Sequence, residues 1–137
     1  ASATISDTRQ VARLDLFSTK LTLFDLPAQS AGPVQLYPAP DGRSLWIADQ
    51  GMLSDHPTGN KLIQLDTSTG EALRIVAVDP GPHGVVLDHL GEKAWVTTLV
   101  NGTVQAIDTQ SGAVLSTTPI GNKPNGISCR HTNGAMP

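Results

Sequence analysis

The chain is poor in cysteine, in aromatic residues and in charge. A single cysteine, Cys129, stands among 137 residues, so no internal disulfide is available. A lone cysteine on an apolar stretch reads as a small buried hydrophobe, because a reactive thiol needs an exposed, electropositive setting. Charged residues make up only 15% of the chain, a low share that implies much surface is meant to be covered. The net charge is −3 and no run of Lys or Arg occurs, which excludes the basic stripe that a nucleic-acid backbone requires. No apolar run approaches the roughly 18 residues needed for a membrane-spanning helix. No Gly-x-Ser-x-Gly, phosphate-binding loop, dinucleotide fingerprint or paired-cysteine zinc pattern is present.

What the chain does have is glycine, proline and a repeat. Thirteen Gly and ten Pro break helices and suit tight turns. Pro33 to Gly81 and Pro82 to Lys123 are two copies of one pattern, and Pro124 to Pro137 opens a third. Asp41-Gly42 falls on Leu90-Gly91, Leu45-Trp46-Ile47 on Ala94-Trp95-Val96, and Leu65-Asp66-Thr67 on Ile107-Asp108-Thr109. A period in this range marks stacked supersecondary units, and a propeller blade is the first candidate.

Each unit reads as four short strands. In the second these are 84–88, 94–99, 103–108 and 113–119, separated by turn signals such as Asn101-Gly102. Short strands at this spacing argue for an all-β fold of four-stranded antiparallel blades. The first unit differs by a longer loop, Asp49 to Lys61, and long loops on rigid scaffolds often carry function. Before Pro33 the register is faint: residues 1–9 are expected as a polar arm and 10–32 as a partial blade. Within it Val11 to Phe17 reads as a second strand and Leu21 to Asp25 as a third, with no room for a fourth. Blades then occupy 33–81 and 82–123, and 124–137 supplies the first strand of a further blade, at Gly126 to Arg130. Two full blades cannot close a ring, and open ends leave unpaired strand edges. Association with further blades or a homo-oligomer is therefore expected. If the last strand joined the partial blade, two copies would make a six-bladed ring.

The strings Pro-x-Gly, Gly91-Glu92-Lys93-Ala94-Trp95-Val96 and Asn101-Gly102-Thr103-Val104-Gln105-Ala106-Ile107-Asp108-Thr109-Gln110-Ser111-Gly112 resemble the YVTN-type β-propeller repeat. The resemblance covers Pro33 to Pro137 and, weakly, Leu21 to Asp25. It implies that first strands line a central channel. It also implies that the links between blades share one rim with the loops after the second strands. That rim would carry 80–83, 122–125, 49–61 and 100–102. The Asp-Gly-type and Thr-x-x-Gly turns would form the opposite rim.

On the first rim His83 is the sharpest candidate, because an imidazole at the channel mouth can act as base, acid or metal ligand near neutral pH. Asp49, Asp55 and His56 of the long loop are candidates to join it in an oxygen and nitrogen metal site or an acid–base pair. Lys123, Asn101 and Asn125 add a cation and amides suited to an anionic or carbonyl ligand. Trp46 and Trp95 read as packing between blades, and His89 and His131 as solvated turn residues.

Three functions follow as alternatives, and the cofactor stays open among them. The first is a propeller that binds a small molecule or protein on its loop rim. The second is a metal-assisted lyase or hydrolase. Gly81-Pro82-His83-Gly84 is similar to the interblade motif of streptogramin lyases, in which the histidine is a general base beside a magnesium-binding glutamate. This chain departs from that pattern: Trp95-Val96-Thr97-Thr98 carries no acid, and the blade with Asp49 has Val34 in place of the histidine. The third is a propeller of the haem d1 type with His83 as axial ligand. The start at Ala1-Ser2-Ala3, without Met, together with the resemblance, leads to the expectation of a processed chain in a periplasmic or extracellular location.

Overall fold

The computed structural model describes residues 1–52 and 56–129, and among them no helix forms. Eleven strands build three antiparallel sheets. The first sheet is β1 (Ser2–Ile5), β2 (Gln10–Leu14) and β3 (Leu21–Asp25) in sequential order. The second is β4 (Pro33–Pro38), β5 (Ser44–Asp49), β6 (Lys61–Asp66) and β7 (Ala72–Ala77). The third is β8 (Pro82–Leu87), β9 (Lys93–Thr98), β10 (Thr103–Asp108) and β11 (Val114–Pro119). The two four-stranded sheets are the two blades that the repeat predicts.

The sheets stack face to face, and each junction is one apolar cluster. Between the second and third blades lie Trp46, Ala48, Leu62 and Val76 of one sheet and Leu87, Val96 and Ile107 of the other. Between the first and second lie Val11, Phe24 and Leu26 against Leu45, Ile63 and Leu65. Strand β5 therefore alternates its faces between two neighbours, which is why it is buried along its whole length. Trp46, 1% exposed, packs between blades as expected, and an indole so placed contributes about 2–3 kcal/mol on area grounds.

The repeat's polar landmarks are turn chemistry. The Asp66 carboxylate accepts from the backbone amides of Ser68 and Thr69 and from the Ser68 hydroxyl, and Asp108 accepts from the amide and hydroxyl of Ser111. The threonine that follows each aspartate ties its turn to the neighbouring Asp-Gly-type turn. Thr67 Oγ1 donates to the Gly42 carbonyl at 2.9 Å, and Thr109 Oγ1 to the Gly91 carbonyl at 2.5 Å. Both turns lie on the same rim, opposite the links.

The first sheet corrects the expected register. The backbone amide of Asp15 donates to the Lys20 carbonyl, as Asp66 does to Glu71 and Asp108 to Ala113. Leu26 donates to Arg9 as Val78 does to Asn60 and Ile120 to Gly102. So β2 is a third strand and Leu21 to Asp25 is a fourth, not a third. The stretch Val11 to Phe17 is not a second strand, because it ends at Leu14 and runs into the aspartate turn. Residues 1–9 are not merely a polar arm: they supply the second strand, β1. The position without a counterpart in this sheet, among the described residues, is the first strand, not the fourth.

At the other end, residues 120–129 hold no assigned strand; Arg130, His131 and the Thr132-Asn133-Gly134 turn lie outside the described residues. The segment nevertheless lies along the third blade. A Cβ built on Gly84 would fall 3.0 Å from Ile127 Cγ2, so the glycine permits this close approach.

Thr19 stands where Gly70 and Gly112 stand in the other aspartate turns, with φ of 56° against 77° and 76°. A left-handed non-glycine residue costs roughly 1–2 kcal/mol. Thr19→Gly should therefore raise stability by about 1 kcal/mol, read as a higher urea midpoint. The hydrogen bonds from Ser68 and Thr69 lower the Asp66 carboxyl to about 2. In the unfolded chain it returns to the ordinary aspartate value of 3.8. Its contribution is thus complete above the unfolded value and disappears as pH falls through the folded one. An NMR titration of the Asp66 carboxyl carbon with a midpoint near that of free aspartate would contradict this.

Candidate functional site

The links and the second-to-third-strand loops converge on one rim, as the resemblance implies. The Gly81 amide donates to the Gly59 carbonyl at 2.9 Å, and the Leu99 amide to the Gly81 carbonyl at 2.8 Å. The Gly51 amide donates to the Gly32 carbonyl at 3.0 Å, and Ile120 to Gly102 at 2.9 Å. Link and loop thus lock together at each blade. A Cβ added at Gly81 (φ 74°) would meet Val100, Leu99 and Met52 at 3.2, 3.3 and 3.4 Å.

Asp49 is on this rim but is not a free ligand. It is fully buried. Its Oδ1 accepts from Ser30 Oγ at 2.6 Å and from the Gly32 amide at 2.7 Å, and its Oδ2 accepts from the Ala31 amide at 2.9 Å. Both oxygens are committed to holding the link into the second blade. The next blade makes the same tie with the acid on the other side. Thr98 stands at the position of Asp49, and Asp79 at the position of Ser30. The Thr98 and Thr103 hydroxyls are 2.6 Å apart, and Thr103 Oγ1 donates to Asp79 Oδ2 at 2.9 Å. A buried carboxylate needs donors, and the two blades supply them from opposite directions.

His83 is the second residue of strand β8, half-buried beside the last segment. Burial lowers its pKa from the usual histidine value, and a hydrogen bond to the Asn125 backbone partly offsets the shift. Its buried Nδ1 has no hydrogen-bond partner. On a neutral ring with the proton on Nε2, Nδ1 presents a bare lone pair. Beneath it the Gly84 amide donates to Thr97 Oγ1 at 2.9 Å, which fixes the backbone that carries the imidazole.

Lys123 immediately precedes Pro124 and stands where Gly32 and Gly81 precede Pro33 and Pro82. Its φ is 49°, in the left-handed region. The residue is exposed, as are Asn125 and Asn101. Strained non-glycine residues cluster at sites where the side chain is required.

The remaining candidates separate. His56 is held at the previous link, with Nδ1 3.1 Å from an Arg9 guanidinium nitrogen and Cδ2 3.7 Å from where a Cβ on Gly32 would lie. Asp55 lies outside the described residues. Among the described residues no three His, Cys, Asp or Glu side chains gather closely enough to hold a metal ion. Of the expected grouping of Asp49, Asp55, His56 and His83, the three described members do not come together as metal ligands. His89 lies in a turn of the opposite rim and is exposed. Sequence reasoning missed Gln50, which is 2% exposed with an unpartnered Nε2. The available signal was a polar side chain where the other blade has Leu99.

Asp49→Ala would strand three donors at once, two of them buried. Each unsatisfied buried group costs about 1–3 kcal/mol, so the variant should lose at least ~3 kcal/mol by urea denaturation, and Asp49→Asn less. A loss under 1 kcal/mol in Asp49→Ala would show that the link holds without it.

No protein-family model matches the chain, and no curated protein matches it in sequence. Solved structures do match. A streptogramin B lyase structure superposes with a TM-score of 0.69 at 20% identity, over 88% of this chain and 38% of that one. Hydrazine synthase of Kuenenia stuttgartiensis superposes with a TM-score of 0.63 at 23% identity, over 74% of this chain and 27% of that one. The chain spans well under half the length of either. At this identity the likeness speaks to fold alone, and both neighbours are β-propellers. The three stacked sheets are blades of an incomplete propeller ring.

Proposed function

We propose that these units are part of a YVTN-like β-propeller that binds a small polar ligand at the link rim, around His83. The observation that carries this reading is the buried Nδ1 without a partner, at a channel mouth where a polar group left unpaired costs stability. The Nδ1 lone pair takes a hydroxyl or amide donor of the ligand. Lys123 and the Asn125 side chain suit a carboxylate or carbonyl on the same molecule, with an α-hydroxy acid or depsipeptide as the simplest class.

The lyase reading keeps His83 as a base, since a lowered pKa holds it neutral and ready to accept a proton. The magnesium that such a lyase would use does not fit these residues. Thr98 replaces an acid beside His83, and both Asp49 oxygens are engaged. The haem reading rests on the imidazole alone and gains no second support.

The test is a titration of ¹⁵N-histidine-labelled protein with lactate and with a short depsipeptide. Saturable movement of the His83 ring resonances is expected, and the affinity read by calorimetry should weaken about tenfold or more in His83→Ala and stay unchanged in His89→Ala. Binding should be full at neutral pH and decline as pH falls through the lowered His83 pKa, because protonation fills Nδ1. Ring resonances that stay fixed with both probes, or binding that survives His83→Ala, would overturn the reading.

A further inference from the structure

A guanidinium ties the first two sheets together at the rim opposite His83. Arg13 of β2 reaches across the junction, where its Nη1 donates to the Thr67 carbonyl. Its Cζ lies 5.5 Å from the centre of the Phe24 ring, an arrangement that favours a cation over an aromatic face. The equivalent positions at the next junction follow from the turns. Asp15, Asp66 and Asp108 make the same backbone turn bond, so Gln64 stands where Arg13 stands, and Thr109 where Thr67 stands.

Gln64 does not repeat the tie. Its Nε2 turns back to Ser44 Oγ of its own blade at 3.1 Å. Among the described residues no donor reaches the Thr109 carbonyl. Between the two lies a cavity of about 140 Å³, walled by Pro40, Asp41, Trp46, Gln64, Gly91 and Thr109. Its volume is several times the roughly 30 Å³ share of one water. An aromatic residue is again at hand, because Trp46 pairs with Gln64 across the ladder. Asp41 adds a carboxylate whose Oδ1 accepts from the Arg43 amide at 2.9 Å. Arg74, which pairs with Gln64 on the other side, sends its own guanidinium to the Gln110 carbonyl. It is not among the walls of the cavity. Both walls belong to four-stranded blades.

We propose that this cavity binds a guanidinium group carried by a ligand, in the place that Arg13 fills at the preceding junction. The group donates to the Thr109 carbonyl, as Arg13 does to Thr67, and to the Asp41 carboxylate. A planar guanidinium matches a carboxylate with two parallel N–H bonds, which a compact ammonium cannot do. The Gln64 carboxamide oxygen takes a further N–H, and the Trp46 indole supplies the aromatic partner that Phe24 supplies to Arg13. A small alkylguanidine and an arginine side chain on a peptide present the same group.

Two probes separate these sources: methylguanidinium and a blocked alanine–arginine–alanine tripeptide. The chain has two tryptophans, so Trp95→Phe leaves one ¹⁵N indole resonance, that of Trp46. Well below denaturing concentration either probe should move it saturably, whereas methylammonium should bind more weakly and sodium chloride at equal ionic strength should not move it. Tighter saturation by the tripeptide assigns the cavity to a peptide arginine, and tighter saturation by methylguanidinium to a free guanidine. Asp41 is exposed on its turn, so Asp41→Asn should keep the fold and weaken binding about threefold. Gln64→Arg supplies the guanidinium from the chain itself, and should abolish the movement while raising the urea midpoint. An indole that stays fixed with both probes, or a movement that salt alone reproduces, would overturn the proposal. So would methylammonium binding as tightly as methylguanidinium, a movement that persists in folded Gln64→Arg, or an affinity unchanged in Asp41→Asn. The test reads the rim opposite His83, so its outcome is separate from ligand movement of the His83 resonances.

Discussion

Everything in this structure depends on one sheet covering the next. A twisted sheet of four short strands buries little by itself, and the chain has no disulfide and few charges to help it. The apolar clusters at the two junctions are the core. Because a blade must serve two neighbours, strands such as β5 are apolar on both faces, unlike a sheet with one face in water. Face-to-face stacking of radially ordered strands then has a geometric result. Every link and every second-to-third-strand loop arrives at the same rim, so side chains far apart in sequence become neighbours without any contact designed for that purpose.

The two rims are built differently. On one, each full blade repeats the same device: an aspartate caps a turn, and the next threonine donates to the carbonyl of the neighbouring turn. On the other rim the tie between link and blade is solved twice. Ser30 and two backbone amides serve Asp49 in one blade, and Thr98 and Thr103 serve Asp79 in the next. Conserving the tie while exchanging its partners leaves the surrounding loops free to differ. The longer loop after Asp49, the imidazole of His83 and the strained Lys123 are all on this rim. One end of the stack supplies rigidity, and the other carries the variation on which recognition draws.

The second and third blades were legible in the sequence because their turn residues are chemically obligatory. Aspartate, threonine and glycine recur at fixed spacing since each does one job in the turn. The first blade lost two of the three. Leu16 stands where Thr67 and Thr109 stand, and Thr19 where Gly70 and Gly112 stand, so only Asp15 preserves the mark. Apolar alternation alone cannot distinguish a third strand from a fourth, and the register slipped by one strand. A similar limit applies to Asp49. A carboxylate at a strand end reads as available until its donors are located, and these come from a link 17 to 19 residues upstream. The His83 environment was half legible: repeat spacing placed Asn125 at the same rim, but not the bond from its backbone to the imidazole.

That bond connects the rim to the end of the stack. Asn125, whose backbone engages the imidazole, belongs to the segment that begins like an inner strand and lies across Gly84. The setting of the histidine therefore depends on a stretch of chain that packs at Gly84 through Ile127, and not only on the blade that carries it. The imidazole answers to both: burial pushes its pKa down, while the Asn125 backbone partly restores it. The chemistry available at His83 and the packing of Ile127 at Gly84 are thus tied together through a single six-residue segment.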